Sequence, residues 1–142
     1  MVQPWHIYRE AEEQGIQVHF LRFEELSAVS VPGHIGIDPA KFPTTAEEAT
    51  AAAHELGHGC TGAFYAAGDS DEERRRCENM AERYAILHYL PREALLRAMR
   101  GGLTEPWQLA EHFGFTEAFI RRAVRFHFGG DPAEAPPARG TG

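Results

Sequence analysis

The residues best suited to do chemistry stand at positions 54–58, which read His-Glu-Leu-Gly-His, an HExxH pattern. On an α-helix, side chains four positions apart lie on one face, so the imidazoles of His54 and His58 can converge on one ion. Glu55 projects about 100° away from His54, where it can reach a water molecule beside the ion. The spacing predicts half of a zinc site with a general base next to it.

The competing interpretation is a helix whose histidines are incidental, or a histidine whose polar atoms are satisfied in the core. Three alanines at 51–53 place the pair beside a buried face, and a candidate third ligand follows downstream. Eight histidines in 142 residues also make the chain rich in a side chain that commonly binds transition metals. We therefore favour the metal site.

Two glutamates downstream are candidates for completing this site. Catalytic zinc commonly has three protein ligands and an open position for water, whereas structural zinc has four ligands, mostly cysteines. With only Cys60 and Cys77 in the chain, a four-sulfur site is excluded and free thiols are expected. We assign Glu78 as the third ligand and Glu82, one turn later, as the acceptor of a hydrogen bond from a ligand imidazole. Solvated surface charges are the alternative interpretation of both glutamates.

The chemistry expected of such a site is hydrolysis of a peptide bond. Two neutral imidazoles and one carboxylate leave Zn²⁺ with a net positive charge, which lowers the pKa of its water towards about 7. Glu55 takes the proton of that water and later delivers it to the leaving amine. Tyr65 and His34 are the candidates for stabilising the oxyanion or contacting the substrate. The strand at 34–37 is the expected place for an extended substrate backbone.

The N-terminal elements that position the site follow from periodicity and from turn residues. A first helix is expected over 5–14, between Pro4 and Gly15. Apolar and polar residues then alternate in short segments, and a Pro-Gly turn stands between the last two. These segments predict a small antiparallel sheet with strands at 16–21, 28–31 and 34–37.

The rest of the chain is expected to be helical. A capping box of Thr45 and Glu48 starts the helix that carries the motif, and a loop over 62–70 leads to a long helix ending at Pro91. The buried stripe of that long helix is expected to comprise Cys77, Met80, Ala81, Tyr84, Leu87 and His88.

A single α+β domain is therefore expected over residues 1–128, with short helices completing its C-terminal part. In it, the sheet packs on a mainly helical body. The Gly- and Pro-rich composition of 129–142 predicts a disordered tail.

Charge and hydropathy argue against several classes of partner. Fourteen Lys and Arg against twenty-one Asp and Glu give a formal charge of −7, so the field of the molecule repels nucleic acid and acidic lipid. The chain contains no apolar stretch approaching 18 residues, and its first residues lack the pattern of a signal peptide. We expect a cytoplasmic protein with no membrane partner.

Four segments of the chain together resemble the ImmA/IrrE family of small zinc metallopeptidases, particularly the short phage and mobile-element type. They read Ile-Gly-Ile-Asp at 35–38, Ala-Ala-His-Glu-Leu-Gly-His at 52–58, Thr-Gly-Ala-Phe-Tyr at 61–65 and Glu-Asn-Met-Ala-Glu-Arg-Tyr-Ala-Ile at 78–86. The resemblance implies a gluzincin-like, zincin-type fold with one zinc ion. It assigns His54, His58 and Glu78 as ligands and Glu55 as the residue that activates water. At the position of Glu82, the family usually has Asp or Asn.

The resemblance also implies a biological role, since such proteins are typically encoded beside a helix-turn-helix repressor, which they cleave. Residues 103–128 themselves have the Ala-x-x-x-Gly cadence of a helix-turn-helix. Their second helix offers Phe119 and Ile120 where base-reading polar groups are needed, so we expect packing or repressor docking there instead of DNA binding.

Two alternatives to an endopeptidase remain at this point. One is a non-catalytic regulator that uses zinc for folding and grips a repressor or DNA. The other is a partner in a toxin–antitoxin type of module.

Overall fold

Residues 1–129 are described in the computed structural model, and they form six α-helices and a three-stranded sheet. In chain order these elements are α1 (Pro4–Glu13), β1 (Gln17–Phe20), β2 (Ala28–Val31), β3 (His34–Ile37), α2 (Thr45–Thr61), α3 (Asp71–Tyr89), α4 (Arg92–Arg100), α5 (Pro106–Phe113) and α6 (Glu117–Phe128). The α+β class expected from the sequence is confirmed. The expected tail lies outside the described residues, apart from Gly129.

The sheet is mixed, with strand order β1-β3-β2. β2 and β3 form an antiparallel hairpin around Pro32 and Gly33, and the glycine supplies the φ of 82° that this turn requires. β1 runs parallel to β3, with Val18 opposite Ile35. The expectation of an antiparallel sheet is therefore wrong. Alternation along a strand specifies which side chains face the core, and it leaves the direction of the neighbouring strand open.

One hydrophobic cluster includes side chains from all six helices and from β3. Its N-terminal members include Ile7, Ala11, Ile35, Ile37, Ala53 and Leu56, and its C-terminal members include Leu95, Leu109, Phe115, Phe119 and Ile120. Phe119 and Ile120 of the helix-turn-helix-like segment thus lie in the core, with 2% and 0% of their surfaces exposed. Within residues 1–129, we find no helix whose length and hydropathy would allow it to cross a membrane.

Helix α2 begins one residue earlier than the expected capping box. Thr44 is the N-cap, because it has the extended backbone that this position needs and its Oγ1 accepts a hydrogen bond from Glu47 N at 3.1 Å. Thr45 is the first helical residue. The shift leaves the helical phase of the metal motif unchanged.

The buried face of α3 also differs from the expected stripe. Ala81 is buried as expected, and the other buried residues are Ala85 and Ile86. Three members of the expected stripe are exposed instead: Met80 at 43%, Leu87 at 46%, and His88. Because α2 and α3 approach closely at Gly57 and Ala81, the part of α3 that faces α2 has room for small side chains and not for large apolar ones.

Candidate metal centre

Helices α2 and α3 touch closely at Gly57 and Ala81, and this contact brings the two halves of the site together. A Cβ atom added to Gly57 would stand 2.2 Å from the carbonyl oxygen of Ala81, far inside van der Waals contact. His54 and His58 lie within one turn of Gly57, and Glu78 lies one turn before Ala81. A glycine–alanine contact therefore converts ligands that are separate in sequence into neighbours in space.

The candidate ligand atoms of His54, His58 and Glu78 all lie within 4.8 Å of one another. Glu78 Oε2 is 2.6 Å from His54 Nε2, Glu78 Oε1 is 3.1 Å from His58 Nε2, and the two Nε2 atoms are 3.2 Å apart. The His58 side chain is only 6% exposed, but His54 and Glu78 are 30% and 40% exposed. The cluster is anchored in the protein on one side and open to solvent on the other.

The backbone after α2 fixes the orientation of His58. The helix ends at Thr61, and its C-cap Gly62 has a left-handed φ of 71° that turns the chain back. His58 Nδ1 donates to the carbonyl oxygen of Ala63 at 2.6 Å. A neutral His58 ring with its proton on Nδ1 directs only a lone pair at the carboxylate of Glu78. Electron-rich atoms that face each other this closely are stabilised by a shared cation. Two imidazole nitrogens and a carboxylate are donors that suit zinc, so these residues could hold that ion.

Glu55 is almost buried beside these ligands, with 9% of its surface exposed. Burial raises the pKa of its carboxyl group, while the His54 and His58 rings and hydrogen bonding with Ser30 act in the opposite direction. Ser30 lies on β2, so the sheet reaches the candidate base directly. A carboxyl group whose pKa is raised by burial binds a proton more readily than an exposed one, which suits a group that accepts a proton.

Tyr65 stands next to Glu78, in the loop between α2 and α3. Its ring centroid is 6.3 Å from that of His58, and the Arg74 guanidinium lies 5.7 Å from its centroid. The charge of Glu78 raises the pKa of the Tyr65 hydroxyl, and burial and their mutual hydrogen bond act in the same direction. Burial alone would raise the pKa of Glu78, but the charge and hydrogen bond of His54, together with His58 and Tyr65, lower it overall. Glu78 is thus favoured as an ionised ligand and Tyr65 as a protonated hydrogen-bond donor.

A cleft of about 360 Å³ opens beside His54 and Glu55. Its walls come from β2, α2, α3 and α6, and they include Ala28, Ala51 and Phe119. β2 is an edge strand of the sheet and borders this cleft, whereas β3 pairs with strands on both sides. The expectation that 34–37 presents its edge to a substrate is therefore wrong, because β2 is the edge strand beside the cleft.

Glu82 and His34 do not join the cluster of ligands. Glu82 Oε1 accepts a hydrogen bond from Arg122 Nε at 2.7 Å in the wall of the cleft. Within residues 1–129 no hydrogen bond joins Glu82 to a ligand imidazole, and the Ala63 carbonyl serves His58 instead. His34 is exposed at the start of β3, where its Nδ1 lies 3.0 Å from His19 Nε2.

Sequence reasoning missed Ser30, the Ala63 carbonyl and Arg122. Of these, only the carbonyl had a readable signal, because a glycine after a helix predicts a left-handed turn that brings the next residues back towards the last turn. A serine on a strand and an arginine on a distant helix carry no local sign of what they contact.

No protein-family model, curated protein or solved structure matches the chain. The interpretation of the site therefore depends on its own geometry and chemistry.

Proposed function

We propose that the protein is a zinc-dependent endopeptidase that hydrolyses peptide bonds of a cytoplasmic regulatory protein, with a helix-turn-helix repressor as the substrate. The observation that carries the proposal is the convergence of His54, His58 and Glu78 within 4.8 Å beside the buried carboxyl group of Glu55. An ion-binding group, an adjacent proton acceptor and an open cleft are the three parts that such a hydrolase needs.

Each residue has a separate task in this proposal. His54, His58 and Glu78 would hold the zinc ion, which supplies a Lewis acid that polarises a carbonyl group and acidifies water. Glu55 receives the proton from the attacking water and returns it to the leaving amine, a use that fits the direction of its pKa shift. Tyr65 donates a hydrogen bond to the oxygen that becomes negatively charged.

The shape of the cleft favours a polypeptide substrate. It is open to solvent beside the start of the edge strand β2, and backbone groups at such an edge pair readily with an extended chain. A repressor as the particular substrate is taken from the family resemblance, because the cleft by itself only requires an accessible, extended segment.

Substitution of the proposed base tests this function. We expect Glu55→Gln to bind zinc as the wild type does, because the ligands are unchanged, and to lose cleavage by at least a hundredfold. The general probe is a pool of internally quenched peptides, the specific probe is a helix-turn-helix repressor if one is encoded next to this gene, and products are identified by mass spectrometry.

The matched control is Glu111→Gln, which changes an exposed glutamate of α5 that does not line the cleft. This variant should keep its cleavage of the repressor and of the peptides. Cleavage by Glu55→Gln at the wild-type rate would refute the assigned mechanism. A zinc-loaded wild type that cleaves neither probe would refute the proposed activity.

A further inference from the structure

Helix α6 contributes one guanidinium group to the wall of the cleft. Arg122 Nε donates to Glu82 Oε1 at 2.7 Å, which ties α6 to α3, and the Arg122 side chain is 41% exposed. The ring of Phe119 lies 5.7 Å from the same guanidinium. Arg122 is therefore positioned in advance, so less conformational freedom is lost when it binds a ligand.

The remaining donors of this guanidinium have no other partner among residues 1–129. An arginine carries five N–H groups, and the ion pair with Glu82 uses the one on Nε. The two Nη groups form a planar fork that matches the two oxygens of a carboxylate. Arg122 is the one arginine or lysine among the described residues that line the cleft.

We propose that Arg122 is a specificity-determining residue that binds a carboxylate of the polypeptide substrate, an inference that rests on the proposed peptidase function. The carboxylate is supplied by an Asp or Glu side chain or by a chain terminus, since both present the same two oxygens. Glu82 holds the guanidinium in place and, as a negative charge, moderates its attraction for the ligand.

The competing specificity is for a basic side chain. Glu47 lines the same cleft and is exposed, so it is the carboxylate that would attract lysine or arginine. Glu82 is a weaker candidate for that role because Arg122 already neutralises it at 2.7 Å. The two specificities predict opposite preferences for charged peptides.

The experiment compares the cleavage of quenched peptides that share one sequence. Glu, Gln or Lys is placed at each position of that sequence in turn. Every peptide is made with a free and with an amidated C-terminus. We expect the zinc-loaded wild type to prefer Glu over Gln at one position by about tenfold in kcat/KM, the effect of one charge-assisted contact. If Arg122 binds the C-terminal carboxylate of the peptide, amidation of the C-terminus changes the rate of cleavage, and replacement of Glu by Gln does not.

Two variants separate recognition from a purely structural role of the ion pair. Arg122→Gln should abolish the preference for the carboxylate, whereas Glu82→Gln should increase it, because the competing negative charge is removed while the fork remains. A role limited to joining α3 and α6 predicts that both variants change cleavage in the same direction, since both break the same bridge. Arg97→Gln, an exposed arginine of α4 that does not line the cleft, is the matched control and should keep the wild-type preference.

Binding of the same peptides, measured by fluorescence anisotropy with the zinc-loaded protein, provides a readout that does not need turnover. If no peptide is cleaved but carboxylate peptides bind about tenfold more tightly and lose this advantage in Arg122→Gln, the subsite stands while the proposed activity fails. Equal affinity and equal cleavage for Glu and Gln peptides together with no effect of C-terminal amidation, or a preference for Lys, would overturn the assignment to Arg122.

Discussion

Helix α2 packs closely against α3 on one side and borders an open cleft on another. Towards α3, the contact of Gly57 with Ala81 leaves no room even for a methyl group. Towards β2 and α6, the same helix borders a cleft of about 360 Å³. The tight side fixes the candidate ligands with respect to one another, and the open side leaves space for a polypeptide. The two requirements of the proposed function are thus met by different surfaces of one helix.

The largest effect is expected from adding a methyl group at Gly57, where α2 and α3 touch. Gly57→Ala gains about 1 kcal/mol of helix propensity but introduces overpacking that costs about 3 kcal/mol, so a net loss of about 2 kcal/mol in the free energy of unfolding is expected. The displaced helices should also lower zinc affinity more than tenfold, because the ligands lie on both. Chemical denaturation and zinc titration measure the two effects.

Gly68→Ala is the control for this substitution. Gly68 lies in the loop before α3, and nothing stands within 4 Å of a Cβ atom added there. Its stability and its zinc affinity should stay within about 0.5 kcal/mol of the wild type. A Gly57→Ala variant that is as stable as this control would show that the close contact of the helices is not required.

An intermediate effect is expected at the turn that orients His58. Gly62→Ala places a side chain at a φ of 71° and should cost about 1 kcal/mol of stability. The Ala63 carbonyl that holds the His58 ring should shift as well, which lowers zinc affinity about tenfold. Gly15→Ala imposes the same strain at a φ of 81° after α1, and it should lose similar stability without any change in zinc affinity. Equal zinc affinity in the two variants would contradict the role of the carbonyl.

The smallest effect is expected on the open side. Thr50 Oγ1 accepts a hydrogen bond from Thr116 N at 3.1 Å, which joins α2 to the start of α6 across the cleft. Thr50→Val removes this bond and should cost about 1 kcal/mol of stability, with zinc affinity unchanged and with KM for the quenched peptides raised. Thr104→Val, at an exposed threonine before α5, serves as the control. A loss of zinc affinity in Thr50→Val would mean that the two sides of α2 are not independent.

The parts of the molecule that depend on local spacing could be predicted from the sequence. His54 and His58 share a helical face because they are four residues apart, and the three strands lie where alternation places them. The direction of β1 could not be predicted, because the pattern of a strand identifies its inward face and not its partner. Hydropathy correctly predicted Ala81 in the buried face of α3, but the close helix contact also buries the small Ala85 and leaves the predicted Met80 exposed.

The parts that depend on distant segments meeting could not be predicted. Glu82 looks like any second carboxylate near a metal ligand until α6 brings Arg122, forty residues away, to within 2.7 Å of it. Ser30 reaches Glu55 only because β2 is the edge strand next to α2, an arrangement that follows from the sheet order. In both cases the chemistry of the residue is visible in the sequence, but its neighbour is set by the topology of the whole chain.

Zinc stoichiometry tests the central claim most directly. The purified wild type, Glu78→Gln and Glu82→Gln are dialysed against limiting zinc, and bound metal is measured per chain with folding monitored by circular dichroism. We expect one zinc ion in the wild type and in Glu82→Gln, and none in Glu78→Gln, because only Glu78 places its oxygens among the two Nε2 atoms. A wild type that binds no zinc, or a folded Glu78→Gln that binds it as tightly as the wild type, would contradict the account.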